Sequence, residues 1–368
     1  MSQFIQLHLL TSYPPSNLNR DDLGRPKTAI MGGANRLRVS SQSLKRAWRT
    51  SDIFTDALGD HRGTRTKRLG IKVYEELLGK DAKPKDAGVW AKSIAGVFGK
   101  LKTLNKKEEA KLAKNDTSEK EKKALMEKPF EIEQLAHISV EEQESISALI
   151  NTLSTENREP EKDELVLLRN TNKSVDMALF GRMLASSPLY NVEAAAQVSH
   201  AITVHSAKVD EDYFTAVDDL NNHEDDAGAA HIGEAGFSAG VFYAYICINR
   251  DLLIENLQGD RELADKTIAA LMECAAKVSP TGKQNSFASR AHAVYMLAEK
   301  GTQQPRSLSV AFLRPIQGQD QAGDSIKALN TQRDNFNKVY GECADDFRTM
   351  NAINGEGSLD ELIKFVTE

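Results

Sequence analysis

Segments with strand character near both ends of this chain are split by residues 59 to about 180, which read as helix, and that interruption constrains the fold more than any single motif. At the amino end, Phe4–Leu10 places apolar residues at Ile5, Leu7 and Leu9, the alternation of a half-buried strand, and Pro14-Pro15 is expected to end it. Strand character returns after Tyr190. Val198, Ile202, Thr203 and Val204 favour a strand over Ala195–His205, and Phe237–Asn249 reads as a buried strand. The intervening segment holds a run, residues 100–128, made mostly of Lys, Glu and Ala, whose simplest reading is a solvated helical face. A chain of 368 residues is long enough for two domains, or for one domain carrying a large insertion. The strand–helix–strand order favours the insertion, within an α+β class.

Smaller signals fill in this outline. Ser40 or Ser41 caps a helix expected through Leu44 to about Leu58. Further helices are expected from Asp251 to about Val278 and from about Asp320 to Met350, with strands around Ala288–Leu297 and Leu308–Leu313. Residues 206–236 form a projection between two strands that is longer than an ordinary hairpin loop, and loops of that length tend to be functional.

Net charge is −6, which by itself points away from polyanions, but its distribution reverses that reading. From Arg20 to Arg49 there are eight cations (Arg20, Arg25, Lys27, Arg36, Arg38, Lys45, Arg46, Arg49) against Asp21 and Asp22. Eight acids lie between Asp210 and Asp226, with no Lys or Arg among them. This polarity is the footprint of a polyanion site beside a region suited to a basic partner surface. No apolar run is long enough to span a membrane, and the opening residues lack the pattern of a signal peptide, so a cytoplasmic protein is expected. Cys247, Cys274 and Cys343 are widely spaced and odd in number, which predicts free thiols and no structural zinc.

Three stretches are candidates for function. In Arg36–Arg49, a strand alternating basic and apolar residues gives one cationic face, then a serine-rich turn opens a helix. The amino terminus of that helix offers N–H donors to phosphate, and Lys45 and Arg49, four apart, share a face. Such an arrangement grips a phosphate backbone without reading bases. The plainer alternative is a capped surface helix with solvated cations. The second stretch, Tyr213–Val217, presents aromatics that either stack on bases or pack the loop onto its own domain. In the third, Val175–Met183, Gly181 permits close approach, and Arg182 and Met183 either face a ligand or belong to a packed turn. Enzyme signals are weak: the sequence has no HExxH, GxSxG or P-loop, and His8, His200 and His205 come without a nucleophile or metal-ligand spacing.

Ser16–Asp22, Ala29–Gly33 and Arg38–Ala47, followed by Val175–Met183, Ser199–His205, Tyr213–Leu220 and Gly236–Tyr243, together resemble the CasC family. These are the backbone subunits of Cascade, the type I-E CRISPR surveillance complex. The resemblance runs in order along most of the chain and is weaker over 59–170 and the carboxyl-terminal third. It implies an RRM-like (ferredoxin-like) palm with an inserted helical fingers subdomain and a protruding β-hairpin thumb. The implied divisions are 1–58 for the first part of the palm, 59–180 for the fingers, 181–205 for a palm strand, 206–236 for the thumb and 237–368 for the rest of the palm.

By the same resemblance, Arg20, Arg38, Ser40, Gln42, Lys45, Arg46 and Arg49 grip guide phosphates. Met183, Phe214, Thr215, Val217 and Ile232 kink the guide and displace bases at intervals; Tyr213 stands where the family often has Trp and keeps the stack, and Arg182 lies beside Met183. The loop 221–231 is lengthened and more acidic than the family pattern. Implied partners are CRISPR RNA, adjacent copies of the chain, other Cascade subunits and target DNA paired to the guide, with no cofactor and no catalysis. The alternative is an RNA endonuclease of the related backbone-subunit superfamily. The chain shows no RRM aromatic signature, which suits backbone grip over base stacking on the sheet.

Overall fold

Ile5, Leu7, Leu9 and Leu10 are buried, and so are Gln6 and His8 between them, because the first strand is covered on both faces. The alternation in sequence therefore marks two kinds of interior and no solvent side. On the polar line, His8 Nδ1 lies 2.9 Å from the Tyr243 hydroxyl and Nε2 lies 3.3 Å from Glu299, whose carboxylate also accepts from Arg306. Burial lowers the His8 pKa. Glu299 is buried too, which opposes its ionisation, yet Arg306 and His8 hold it down to about 2.

The structure is a computed structural model and describes residues 2–114, 116–169, 171, 173–216 and 231–368. In chain order the elements begin β1 (Phe4–Ser16), β2 (Thr28–Met31), β3 (Ala34–Val39), α1 (Ser41–Arg49) and α2 (Asp52–Leu58). Then come β4 (Thr64–Thr66), α3 (Leu69–Leu78), α4 (Pro84–Val97), α5 (Lys106–Leu112), α6 (Glu119–Glu127), β5 (Ala136–Ile138), α7 (Val140–Glu156) and α8 (Val175–Phe180). Strands β6 (Ala196–Val198), β7 (Ala201–Thr203), β8 (Asp210–Ala216) and β9 (His231–Asn249) follow. The chain closes with α9 (Arg250–Asn256), α10 (Arg261–Lys277), α11 (Gln284–Phe287), β10 (Ala293–Gly301), α12 (Gln321–Tyr340), β11 (Asp346–Asn351) and α13 (Leu359–Thr367).

These elements form two compact units: residues 1–58, 196–252 and 262–368, and residues 59–195 with 253–261. The first unit is built on an antiparallel sheet ordered β11-β10-β1-β9-β7-β3-β2, with β6 and β8 also paired to β9. One face packs Leu10, Val204, Tyr243 and Leu297 against Phe312 and Leu329 of the carboxyl-terminal segment. On the other, Leu44 and Trp48 of α1 border a small cavity together with Leu9, Val39, Phe242 and Ala275 of α10. Burying a side chain the size of Leu44 or Val39 stabilises by roughly 1.5–3 kcal/mol. The second unit is mainly helical, packed around Trp90, Ile94, Ile150 and Leu153, with β4 and β5 as a small sheet. Residues 253–261 belong to it: Asn256 Nδ2 donates to the carbonyls of Ala178 and Glu193. The class is α+β, as the sequence indicates. Among the described residues, no helix is long and apolar enough to cross a membrane.

Several boundaries differ from those expected. Strand β1 continues through Pro14 and Pro15, which sit in a register shift between Tyr13 and Ser16, where a missing N–H costs no ladder bond. The helix expected to Leu58 breaks after Arg49. The hydroxyls of Thr50 and Ser51 donate to the carbonyls of Arg46 and Trp48, and Ser51 Oγ accepts from Phe54 N–H, so side chains replace helical bonds. The helix expected over 251–278 is divided at Gln258 and Gly259, both with positive φ. Gly341, at φ +85°, stops α12, and Asp346–Asn351 is an edge strand where helix was expected. Leu308–Leu313 holds a 3-10 turn, Ser309–Phe312, in place of a strand. Ala195–His205 splits into β6 and β7, interrupted at Ser199-His200. The three cysteines are free, and burial pushes the Cys274 thiol up to about 11.

Candidate nucleic-acid interface

The basic amino-terminal stretch does not present all its cations. Arg36 is fully buried: its guanidinium donates to the carbonyls of Thr203 at 3.0 Å, Phe312 at 2.8 Å and Met31 at 3.4 Å. The expected cationic strand face is therefore corrected. Arg36 is an internal brace joining β3, β7 and the 3-10 turn, and only Arg38 of the pair reaches the surface, because the face they share is covered at one end. Arg25 pairs with Glu211 of β8.

What remains is a rim around the start of α1. Arg20 is exposed on a loop closed by Lys27 N–H to the Asn19 carbonyl at 2.8 Å. Asp21 is exposed, and its Oδ1 accepts from the N–H groups of Leu23 and Arg25, both at 2.9 Å. Asn19 Oδ1 accepts from Ser40 N–H at 2.9 Å, tying this loop to the helix cap. Arg46 is exposed, and Arg38, Lys45 and Arg49 are half-buried. Among the described residues, Arg20, Arg38 and Arg46 have no carboxylate within ion-pair distance. Cations left in that state suit an external anion.

The helix terminus is less open than the sequence suggests. Ser40 caps α1, its side chain accepting from Ser43 N–H at 3.3 Å, and Ser41 N–H donates to His200 Nδ1 at 3.1 Å. Of the first three helical N–H groups, that of Gln42 is the one still available for a ligand, and the Gln42 side chain is exposed beside it. No acidic residue occupies the first turn, so the positive end of the helix dipole is uncompensated.

His200 braces this rim, a contact that the sequence gives no signal for. Its Nδ1 also meets the Arg38 guanidinium at 3.3 Å. Two donors on one nitrogen require a neutral ring with the proton on Nε2. Partial burial, with Arg38 and Lys27 nearby, lowers its pKa and so agrees with that state. His200 reaches this position because the chain breaks between β6 and β7, and Ser199 Oγ accepts from Tyr245 N–H at 2.8 Å to hold the break. His8, His200 and His205 share no partner: His205 bonds Val241 N–H and the Ser206 carbonyl. Among the described residues, no group of three His, Cys, Asp or Glu is placed to hold a metal ion.

The β8–β9 hairpin carries the second set of candidates. Tyr213, Phe214 and Thr215 are exposed, and Tyr213 and Phe214 point to opposite faces. Tyr213 pairs with Glu234, Phe214 with Gly233 and Thr215 with Ile232. A Cβ on Gly233 would stand 2.4 Å from the Phe214 ring, so the glycine lets the ring lie flat across the strand pair. Val217 and the acids Asp218, Asp219, Glu224, Asp225 and Asp226 lie outside the described residues.

In the other unit, Met183 is 82% exposed while its neighbour Arg182 is buried. Arg182 Nη1 meets both Glu142 carboxylate oxygens at 2.8 Å, and the rest of its guanidinium donates to the carbonyls of Tyr190 and Arg169. Arg182 is thus withdrawn as a ligand contact. Gly181, at φ +78°, makes its close approach to Val192, within the fold. In the Lys/Glu run, Lys111 pairs with Glu121 and Lys128 with Glu108, the pairing expected of a solvated face.

Fold and rim together define an α+β protein in which Arg20, Arg38 and Arg46 stand around the start of one helix without carboxylate partners among the described residues. The chain belongs to the CT1975-like protein family, whose model matches residues 5–364, which supports the resemblance to a Cascade backbone subunit. It is similar to a solved structure described as "CRISPR RNA-guided surveillance complex, pre-nicking", with 28% identity over 99% of each chain and a TM-score of 0.81. A second, described as "CRISPR RNA-guided surveillance complex", shows 25% identity over 99% of this chain and 98% of that chain, with a TM-score of 0.60. No curated protein matches the chain.

Proposed function

We propose that this chain is a non-catalytic, CRISPR RNA-binding backbone subunit of a type I-E Cascade complex in the cytoplasm, its sheet unit serving as an RRM-like palm. The carrying observation is the rim of Arg20, Arg38 and Arg46, which lack carboxylate partners among the described residues, beside a capped helix start with no acid in its first turn. Arg20, Arg38, Ser40, Gln42, Lys45, Arg46 and Arg49 take phosphate and sugar, so the guide's base edges stay free to pair with target DNA. Met183, Tyr213, Phe214, Thr215, Val217 and Ile232 kink the guide and displace bases at intervals as copies polymerise along it.

The similarity to subunits of RNA-guided surveillance complexes over nearly the whole chain supports this reading. The acidic thumb docks on the cationic palm of the adjacent copy, setting subunit polarity. Reversing Asp218 and Asp219 to lysine is expected to block filament growth on RNA while a single copy stays folded; unchanged assembly in sedimentation would refute the docking. Purification from the native operon, followed by mass and nucleic-acid content, tests the whole reading: a defined-length RNA with several copies of the chain is expected. Cleavage of labelled RNA in Mg²⁺ that is lost on changing Asp210 would instead identify a ribonuclease.

A further inference from the structure

The groove beside Arg20 has a second wall that comes from the far end of the sequence. Asn19, Arg20, Asp21, Asp22 and Ser43 line it together with Thr281 and Gly282, and Arg20 shares the adjoining hollow with Lys283. This turn lies against the Arg20 loop at backbone distance. A Cβ on Gly282 would stand 2.3 Å from the Leu18 carbonyl oxygen and 2.7 Å from that of Asn17, so only glycine fits.

The backbone beyond Gly282 is strained. Lys283 has φ +51° and Ala288 φ +47°, left-handed conformations that residues with a Cβ rarely hold. The turn is held there by its own bonds: Gln284 Nε2 donates to the Pro280 carbonyl at 2.8 Å, and Ser279 Oγ accepts from Ala291 N–H at 2.9 Å. Strain of this kind persists where the surroundings over-determine it and concentrates at functional sites. Its consequence here is a half-buried lysine placed in a groove with Arg20. Glu211 and Glu234 line the same groove, yet among the described residues Lys283 has no carboxylate within ion-pair distance, while Arg25 occupies Glu211.

We infer that the turn Thr281–Lys283 is a second phosphate-gripping element, with Lys283 and Arg20, which line one hollow, taking the same single-stranded RNA backbone. The inference rests on the RNA-binding reading above and extends it to residues outside the basic stretch 20–49. A strained turn lets binding and stability be separated. Lys283→Gly removes the cation and suits the left-handed backbone, so the variant is expected to keep its melting temperature.

The test titrates the full-length protein with an unstructured RNA oligonucleotide of mixed sequence at several salt concentrations. Lys283→Gly is expected to raise Kd about fivefold and to lower the slope of log K against log salt by about 0.7, the loss of one phosphate contact on a single strand. Lys283→Arg is expected to restore both, and Lys338→Ala, on exposed α12, to change neither. A normally melting Lys283→Gly variant with unaltered Kd and slope would overturn the inference and leave the RNA-binding reading intact. No binding by the unaltered protein would overturn both.

Discussion

The rim around α1 and the β8–β9 hairpin both carry residues suited to RNA, but they are built in opposite ways. In the rim, the half-buried groups stand on hydrogen-bonded supports: Asn19 holds Ser40, His200 holds Arg38 and Ser41, and buried Arg36 clamps the strand that delivers Arg38. In the hairpin, residues 211–215 are exposed along the arm, and Phe214 lies over a glycine. The rim is set before a ligand arrives, which suits a grip that must be the same on every phosphate. The hairpin offers exposed aromatic surface on a two-stranded arm, which suits insertion between bases that differ from site to site.

The largest expected effect breaks the rim from beneath. Arg36→Met leaves the carbonyls of Met31, Thr203 and Phe312 without their donor and is expected to cost about 3 kcal/mol or more in chemical denaturation. An equal cost from Phe214→Ala would erase the contrast between the two regions. Next, Lys45→Glu combined with Arg49→Glu is expected to weaken RNA binding by about a hundredfold and to flatten its salt dependence. Retained, equally salt-sensitive affinity would show that the grip lies elsewhere.

His200→Ala is expected to weaken binding about fivefold, near 1 kcal/mol, by freeing Arg38 and uncapping Ser41. Asparagine, which can offer one acceptor there, should recover part of that loss; equal affinity in all three proteins would leave His200 without a positioning role. At the small end, Phe214→Ala should change total affinity less than about twofold while abolishing the signal of fluorescent base analogues at displaced positions.

Acidity separates the supports from the surface. Burial lowers the His8 pKa, and partial burial with neighbouring cations lowers that of His200, so both rings are neutral in the fold. Below the ordinary histidine value of 6.5 the unfolded chain takes up protons first, and stability falls as pH falls. Denaturation midpoints are expected to drop between pH 7.5 and 5.5, by less in His8→Asn; midpoints that hold steady would contradict the neutral assignment.

Much of this arrangement was legible in the residues. Ser40 caps its helix as its position before Leu44 suggests, Met183 is exposed, and the Lys/Glu run pairs with itself. The misreadings have one origin. Period-two alternation in β3 says that Arg36 and Arg38 share a face but not that a distant turn covers half of it. The Gly181-Arg182-Met183 sequence says a turn is present but not that Glu142 waits for the arginine. Helix ends at Arg49 and Tyr340 were hidden because hydroxyl competition and a single left-handed glycine are weak signals within a helical pattern.

The sequence alone determined the composition of the site: a cationic stretch that contains a capped helix, an acidic stretch far along the chain, and an α+β chain interrupted by helices. Tertiary structure decided which charges are spent inside and which are left for a ligand. It buried Arg36 and Arg182, brought His200 to Arg38 and carried Lys283 across to Arg20. The physical reason is range. Periodicity and capping are set by neighbours a few residues away, whereas the covering of a face and the partner of a charge are set by segments that only folding brings near.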